Sequence, residues 1–251
     1  MKVSPHAYLD GLAPRTRGNL NTVATARFVY RFGYSNVKTL MKVIEVETDG
    51  WFRAAAARGD FGRVKTPGGD LLILTESTLQ VAEYHAERLF PYPELDGAKI
   101  NLSLVRHNLF VQEVTLRAMA GGSFSDYQTE REIMTGDARG IKRPDVVWIT
   151  TSGLRFAVEV ELTSKWARHF DDFVVGVVTA LDDSSCPAAY DRFAIISDSK
   201  ALLARYREAM TSGKPLHYWR KDSGGKWMIG RKSKIPDWID ERVSYRLVEP
   251  S

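Results

Sequence analysis

Apolar residues recur at helical spacing in the first part of the chain and give way to strand-like alternation in the second. Over residues 21–32, Val23, Ala26, Phe28, Val29, Tyr30 and Phe32 form a broad apolar face, with Asn21 or Thr22 placed to cap it and Gly33 to end it. Ser35 or Asn36 caps a second helix through Val37, Leu40, Met41, Val43 and Ile44. A third, over 51–58, follows Thr48 or Asp49. Residues 61–65 and 70–74 flank the turn Thr66-Pro67-Gly68-Gly69 and predict a hairpin, after which Thr75 caps a helix through Leu79, Val81, Ala82 and Tyr84. Pro91, Pro93 and Gly97 then interrupt regular structure, so the domain break is expected there, giving domains 1–92 and 93–251. Beyond it lie a helix over 106–119 and two apolar runs, 145–149 and 156–162, joined by Thr151-Ser152-Gly153. A core strand at 191–197 feeds a helix over 200–210, and Gly224-Gly225 marks another hairpin turn. The class expected is α/β (α+β), a helical front followed by a mixed sheet flanked by helices.

Three helices, a glycine-turned hairpin and another helix follow the order of a winged helix-turn-helix. The chain of 251 residues has a net charge of +4, and that excess sits largely before residue 75. A short helix carrying Arg53 and Arg58 is shaped for the major groove. The hairpin tip with Arg63 and Lys65 suits phosphates or the minor groove, and Lys38 and Lys42 are further candidate DNA-contacting cations. Double-stranded DNA is the partner these residues predict.

The second apolar hairpin carries the candidate chemistry. Alternation puts Phe156, Val158, Val160 and Leu162 on one face and Ala157, Glu159 and Glu161 on the other. Strands disfavour glutamate, so two on one face call for a cause. Alternate residues lie ~6.5–7 Å apart, within reach of one divalent ion or one water. Asp145, opening the partner strand, completes a three-carboxylate group whose repulsion Mg²⁺ or Mn²⁺ would relieve. Such a metal polarises a phosphodiester and acidifies an attacking water. The alternative is a wet strand face on which both glutamates pair with Lys165, Arg155 or Arg168.

Pro144-Asp145, thirteen intervening residues and Glu159-Val160-Glu161 resemble the PD-(D/E)xK nuclease superfamily. The resemblance implies a restriction-endonuclease-like sheet, metal ligation by Asp145 and Glu159, and help from Glu130 in an upstream helix. The sequence departs from the pattern at Glu161, where that superfamily usually has lysine; Lys165 is placed to supply the charge from a displaced position. Over residues 20–210 the order of elements is also similar to the replication-relaxation family of plasmid and mobile-element proteins. His107-Asn108-Leu109-Phe110-Val111, Arg143-Pro144-Asp145 and Val158-Glu159-Val160-Glu161-Leu162 carry that likeness. It implies an origin-binding or relaxosome accessory role, a relaxase or replication protein as partner, and compatibility with a homodimer. An active Mg²⁺-dependent endonuclease and a winged-helix transcription regulator are the competing expectations.

Other residues carry less. His107 and His169 have no partner at metal-ligand spacing and read as cap or surface residues. Cys186 is the only cysteine, which excludes an intramolecular disulfide and a cysteine zinc cluster. Trp219, Trp227 and Trp238 are expected in the C-terminal core rather than stacked on bases. With no run near ~18 apolar residues and no apolar stretch at the start, a cytoplasmic, non-membrane protein is expected.

Overall fold

The computed structural model describes residues 12–86, 89–90, 95–133, 141–184 and 187–249. They form a mixed α and β structure in two compact units, residues 1–116 and 117–251. The expected break at 92/93 falls within residues 91–94, which lie outside those described.

In the first unit, α1 (Pro14–Phe32) opens on a proline in its first turn, where the missing N–H costs nothing. The helix therefore starts ahead of the expected caps at Asn21 and Thr22, which lie inside it. Gly33 ends it with φ 91°, a left-handed angle that favours glycine. The strand β1 (Ser35–Asn36) leads into α2 (Val37–Val43), where Asn36 Oδ1 accepts from the Thr39 N–H at 2.8 Å, as a capping asparagine should. Next come α3 (Gly50–Ala57), the antiparallel pair β2 (Phe61–Thr66) and β3 (Gly69–Leu74), and α4 (Glu76–Tyr84). At its start the Thr75 N–H donates to Thr78 Oγ1 at 2.9 Å. β1 adds to β3, closing a three-stranded sheet in the order β1-β3-β2. Phe28, Leu40, Phe52, Phe61, Leu72 and Leu74 pack its core.

Helix α5 (Val105–Ala120) contributes its earlier turns to this first unit. Gln112 is fully buried there: its Nε2 donates to the Tyr34 carbonyl at 2.8 Å, and Ser35 Oγ donates to its Oε1 at 2.6 Å. Asn108 Nδ2 reaches the Tyr34 hydroxyl at 2.9 Å. These bonds satisfy a polar seam inside an apolar unit, which explains why the compact division comes later than the proline-rich segment suggests.

In the second unit a five-stranded mixed sheet runs in the order β10-β7-β6-β5-β4. Strands β4 (Phe124–Thr129), β5 (Val146–Thr150) and β6 (Arg155–Val160) are antiparallel neighbours, while β7 (Arg192–Ser197) and β10 (Val243–Leu247) continue parallel to β6. Helix α6 (Ala167–Leu181) connects β6 to β7, and α7 (Lys200–Ala209) follows β7. The hairpin β8 (Pro215–Lys221) and β9 (Trp227–Lys234) and the short α8 (Ile239–Arg242) precede β10. Val147 and Ala157 join Phe173, Val174, Val177 and Phe193 in the core, so α6 covers the sheet face that carries them. No helix among the described residues is long and apolar enough to cross a membrane.

Candidate functional site

Strands β5 and β6 pair with Val146 opposite Val158 and Val147 opposite Ala157. That register ends at Val146; just before it the Asp145 N–H donates to the Val158 carbonyl at 3.0 Å, which leaves the Asp145 charge near enough to oppose ionisation of Glu159. Neighbouring like charges repel. Asp145 relieves part of its charge locally, its Oδ2 accepting from the Val160 N–H at 2.8 Å. The expected alternation along β6 holds, but the face bearing Glu159 and Glu161 is not wet. It lies against α6, leaving the two residues 4% and 3% exposed.

Two lysines answer these buried acids. Lys142 Nζ stands 2.8 Å from Glu159 Oε1, and Lys165 Nζ stands 3.6 Å from the same oxygen while pairing with Glu161. Arg155 and Arg168 do not take part: the Arg155 guanidinium donates to the Ala189 carbonyl at 3.2 Å and to Gln128 Oε1 at 3.4 Å, and Arg168 pairs with Asp172. Lys142 was not legible as a site residue. Its place depends on Gly176 of α6, whose carbonyl accepts the Lys142 N–H at 3.1 Å. A Cβ on Gly176 would stand 2.9 Å from Lys142 Cβ, so only glycine admits this approach. The glycine in α6 is the trace of it in the sequence.

Glu159 Oε2 is buried and makes no hydrogen bond. Burial pushes the Glu159 carboxyl up to about 8, reinforced by the Asp145 charge; Lys142 and Lys165 pull it back without cancelling that effect. The Tyr206 phenol of α7 is raised well above its ordinary value too, by burial first and then by Glu161 and Glu159. Tyr206 therefore belongs to the same buried group, which residue pattern alone did not indicate.

Glu130 is placed differently from expectation. It follows strand β4 rather than sitting in a helix, its side chain is largely exposed, and it pairs with Arg143 at 3.8 Å. The turn after β4 projects it to solvent. Among the described residues no group of three or more His, Cys, Asp or Glu side chains is arranged to hold a metal. The donors nevertheless suit a hard cation: the Asp145 charge is felt at Glu159, and Glu159 Oε2 is an unpartnered buried oxygen. Glu161, engaged by Lys165, is the weaker third ligand.

In the first unit, Arg53 projects from α3 beside Asp49 at 3.1 Å, Arg58 pairs with Asp60 at 2.6 Å, and Arg63 pairs with Asp70. Arg53 and Arg63 line one groove of about 510 Å³, floored by Phe52, Phe61 and Leu72. Lys65 shares the exposed edge of β2 with Arg63, Lys38 is exposed on α2, and Lys42 pairs with Glu113 at 3.5 Å. His169 is exposed, as expected of a surface residue, whereas His107 lies half-buried within the first turn of α5 beside Asn108. Cys186 lies outside the described residues. Trp219 and Trp238 are partly buried, but Trp227 is exposed rather than in the core. Searches against family models, curated proteins and solved structures find no match to this chain.

Proposed function

We propose that this chain is a DNA-binding protein of a mobile element, acting in replication or mobilisation. In this reading a winged-helix unit grips duplex DNA, and a unit of PD-(D/E)xK nuclease lineage meets the phosphodiester backbone. The observation that carries the reading is the buried Glu159, with the Asp145 charge near it, two lysines beside it and one carboxylate oxygen unpartnered. Isolated like charges are not buried this way unless something offsets them. The order helix, short strand, two helices, hairpin, helix supports the winged-helix half. So does a groove flanked by Arg53 of α3 and Arg63 of β2. Their acidic partners are surface acids worth little to stability, so phosphates exchange with them at low cost.

A Mg²⁺ or Mn²⁺ ion held by Asp145 and Glu159 would polarise a phosphodiester and lower the pKa of an attacking water. Lys142 and Lys165 supply the positive charge that a lysine at position 161 would otherwise provide, and they hold Glu159 and Glu161 in place. Glu159 must release its proton before it can ligate, which ties the site to pH.

Incubation of supercoiled plasmid with the whole chain in Mg²⁺, Mn²⁺ or EDTA tests the proposal. Metal-dependent nicking that Asp145→Ala and Glu159→Ala abolish would favour the active endonuclease. Salt-sensitive binding without nicking would favour the gripping, accessory role. Absence of any DNA binding would refute both.

A further inference from the structure

Two tryptophans stand out at the surface of the second unit, Trp166 at 69% and Trp227 at 43% exposure. Single exposed apolar side chains are ordinary; what distinguishes these two indoles is their setting. Each is backed by an arginine. The Arg205 guanidinium lies 4.2 Å from the Trp166 ring centroid, and that of Arg168 lies 4.2 Å from Trp227. Arg168 is fixed in turn by Asp172 at 2.7 Å, and Arg205 also stacks on Phe170 at 4.3 Å. The indoles are thus held from behind in fixed orientations, which lowers the entropy lost on stacking.

Chain connectivity and these contacts place the two on one path. Trp227 touches Arg168 at the start of α6, Trp166 precedes α6, and Lys165 beside it pairs with Glu161 and Glu159. At the far end, the exposed hairpin carries Arg220, Lys221, Lys226, Arg231, Lys232 and Lys234 against Asp222 alone. Asp222 is committed to its own turn, its Oδ1 accepting from the Gly224 and Lys226 N–H groups at 2.9 Å. Arg231 lies 3.9 Å from the Tyr218 centroid and Lys221 5.4 Å from that of Trp227, so the cations are interleaved with aromatic rings.

From this arrangement we infer that the second unit binds an unpaired DNA strand. Its bases stack on Trp227 and Trp166, its phosphates lie on the β8–β9 cations, and its backbone is led to the Asp145–Glu159 carboxylates. Duplex bases are stacked on one another and cannot reach an indole face; only a separated strand uses both features. The inference rests on the DNA-binding reading and narrows its substrate.

The test is fluorescence anisotropy of a labelled twelve-nucleotide oligo-dT and of a labelled duplex, with the whole chain. The wild type is expected to bind both. Trp166→Ala and Trp227→Ala should each weaken oligo-dT binding by about five- to a hundred-fold, leaving duplex affinity within two-fold. Trp227→Phe, which keeps an aromatic face, should retain most of the affinity. Lys221→Gln with Lys232→Gln should lower the salt dependence of oligo-dT binding. Duplex binding without oligo-dT binding, or alanine variants that bind oligo-dT as tightly as wild type, would overturn the inference and leave the DNA-binding proposal standing. Failure to bind either DNA would overturn that proposal as well.

Discussion

Replacing Glu159 by glutamine tests whether burial, rather than ion pairing, dominates the carboxylate pair. The side chain titrates near 4.5 when unfolded and near about 8 in the folded unit, because desolvation and Asp145 both oppose its charge. As pH rises, the unfolded chain loses this proton first. The native state is therefore unpenalised below pH 4.5, loses stability progressively up to about pH 8, and carries the whole cost above it. At about 1.4 kcal/mol per pH unit, that interval caps the penalty at about 5 kcal/mol. Glutamine has nearly the same shape and cannot ionise, so it removes the penalty while giving up the charge of the Lys142 contact. Urea unfolding of the wild type and Glu159→Gln, followed by circular dichroism at half-unit steps from pH 5 to 9, measures the difference. The variant's advantage should grow with pH and reach a few kcal/mol at pH 9. Parallel pH curves would show that Glu159 ionises normally, and the account of the site as a desolvated acid held against its charge would fail.

The remaining expectations concern position, metal and DNA. Gly176→Ala drives a methyl group against Lys142 and should destabilise the second unit by about 1–3 kcal/mol, seen as a lowered unfolding midpoint. A midpoint equal to wild type would mean that α6 and the Lys142 segment lie farther apart than this contact requires. Mn²⁺ binding followed by calorimetry should tighten by up to about ten-fold per pH unit between pH 6 and 8, as one proton on Glu159 is displaced. A pH-independent affinity would place the ion elsewhere. Arg53→Ala combined with Arg58→Ala should weaken duplex binding and lower the magnitude of its log–log salt slope by about 2, measured by mobility shift over a salt series. An unchanged slope would remove α3 from the interface.

Hydrophobic periodicity and turn chemistry are local, and what depends on them alone was already present in the sequence. Gly33 and Asn36 bound their helices as expected, Pro67-Gly68-Gly69 turns the first hairpin, and Thr151-Ser152-Gly153 joins β5 to β6. A short hairpin fixes register, so the pairing of β5 with β6 and the shared side of Glu159 and Glu161 could be read before any tertiary contact was known. Packing between distant segments decided the rest. Only the covering of β6 by α6 makes the glutamates buried acids instead of surface ones, and only the missing side chain of Gly176 lets Lys142 come alongside. The same dependence moved Glu130 out to solvent and drew the early turns of α5 into the first unit through Gln112. A period records which face of an element is apolar. It does not record which element covers that face, and the charge state of a carboxylate is set by what covers it.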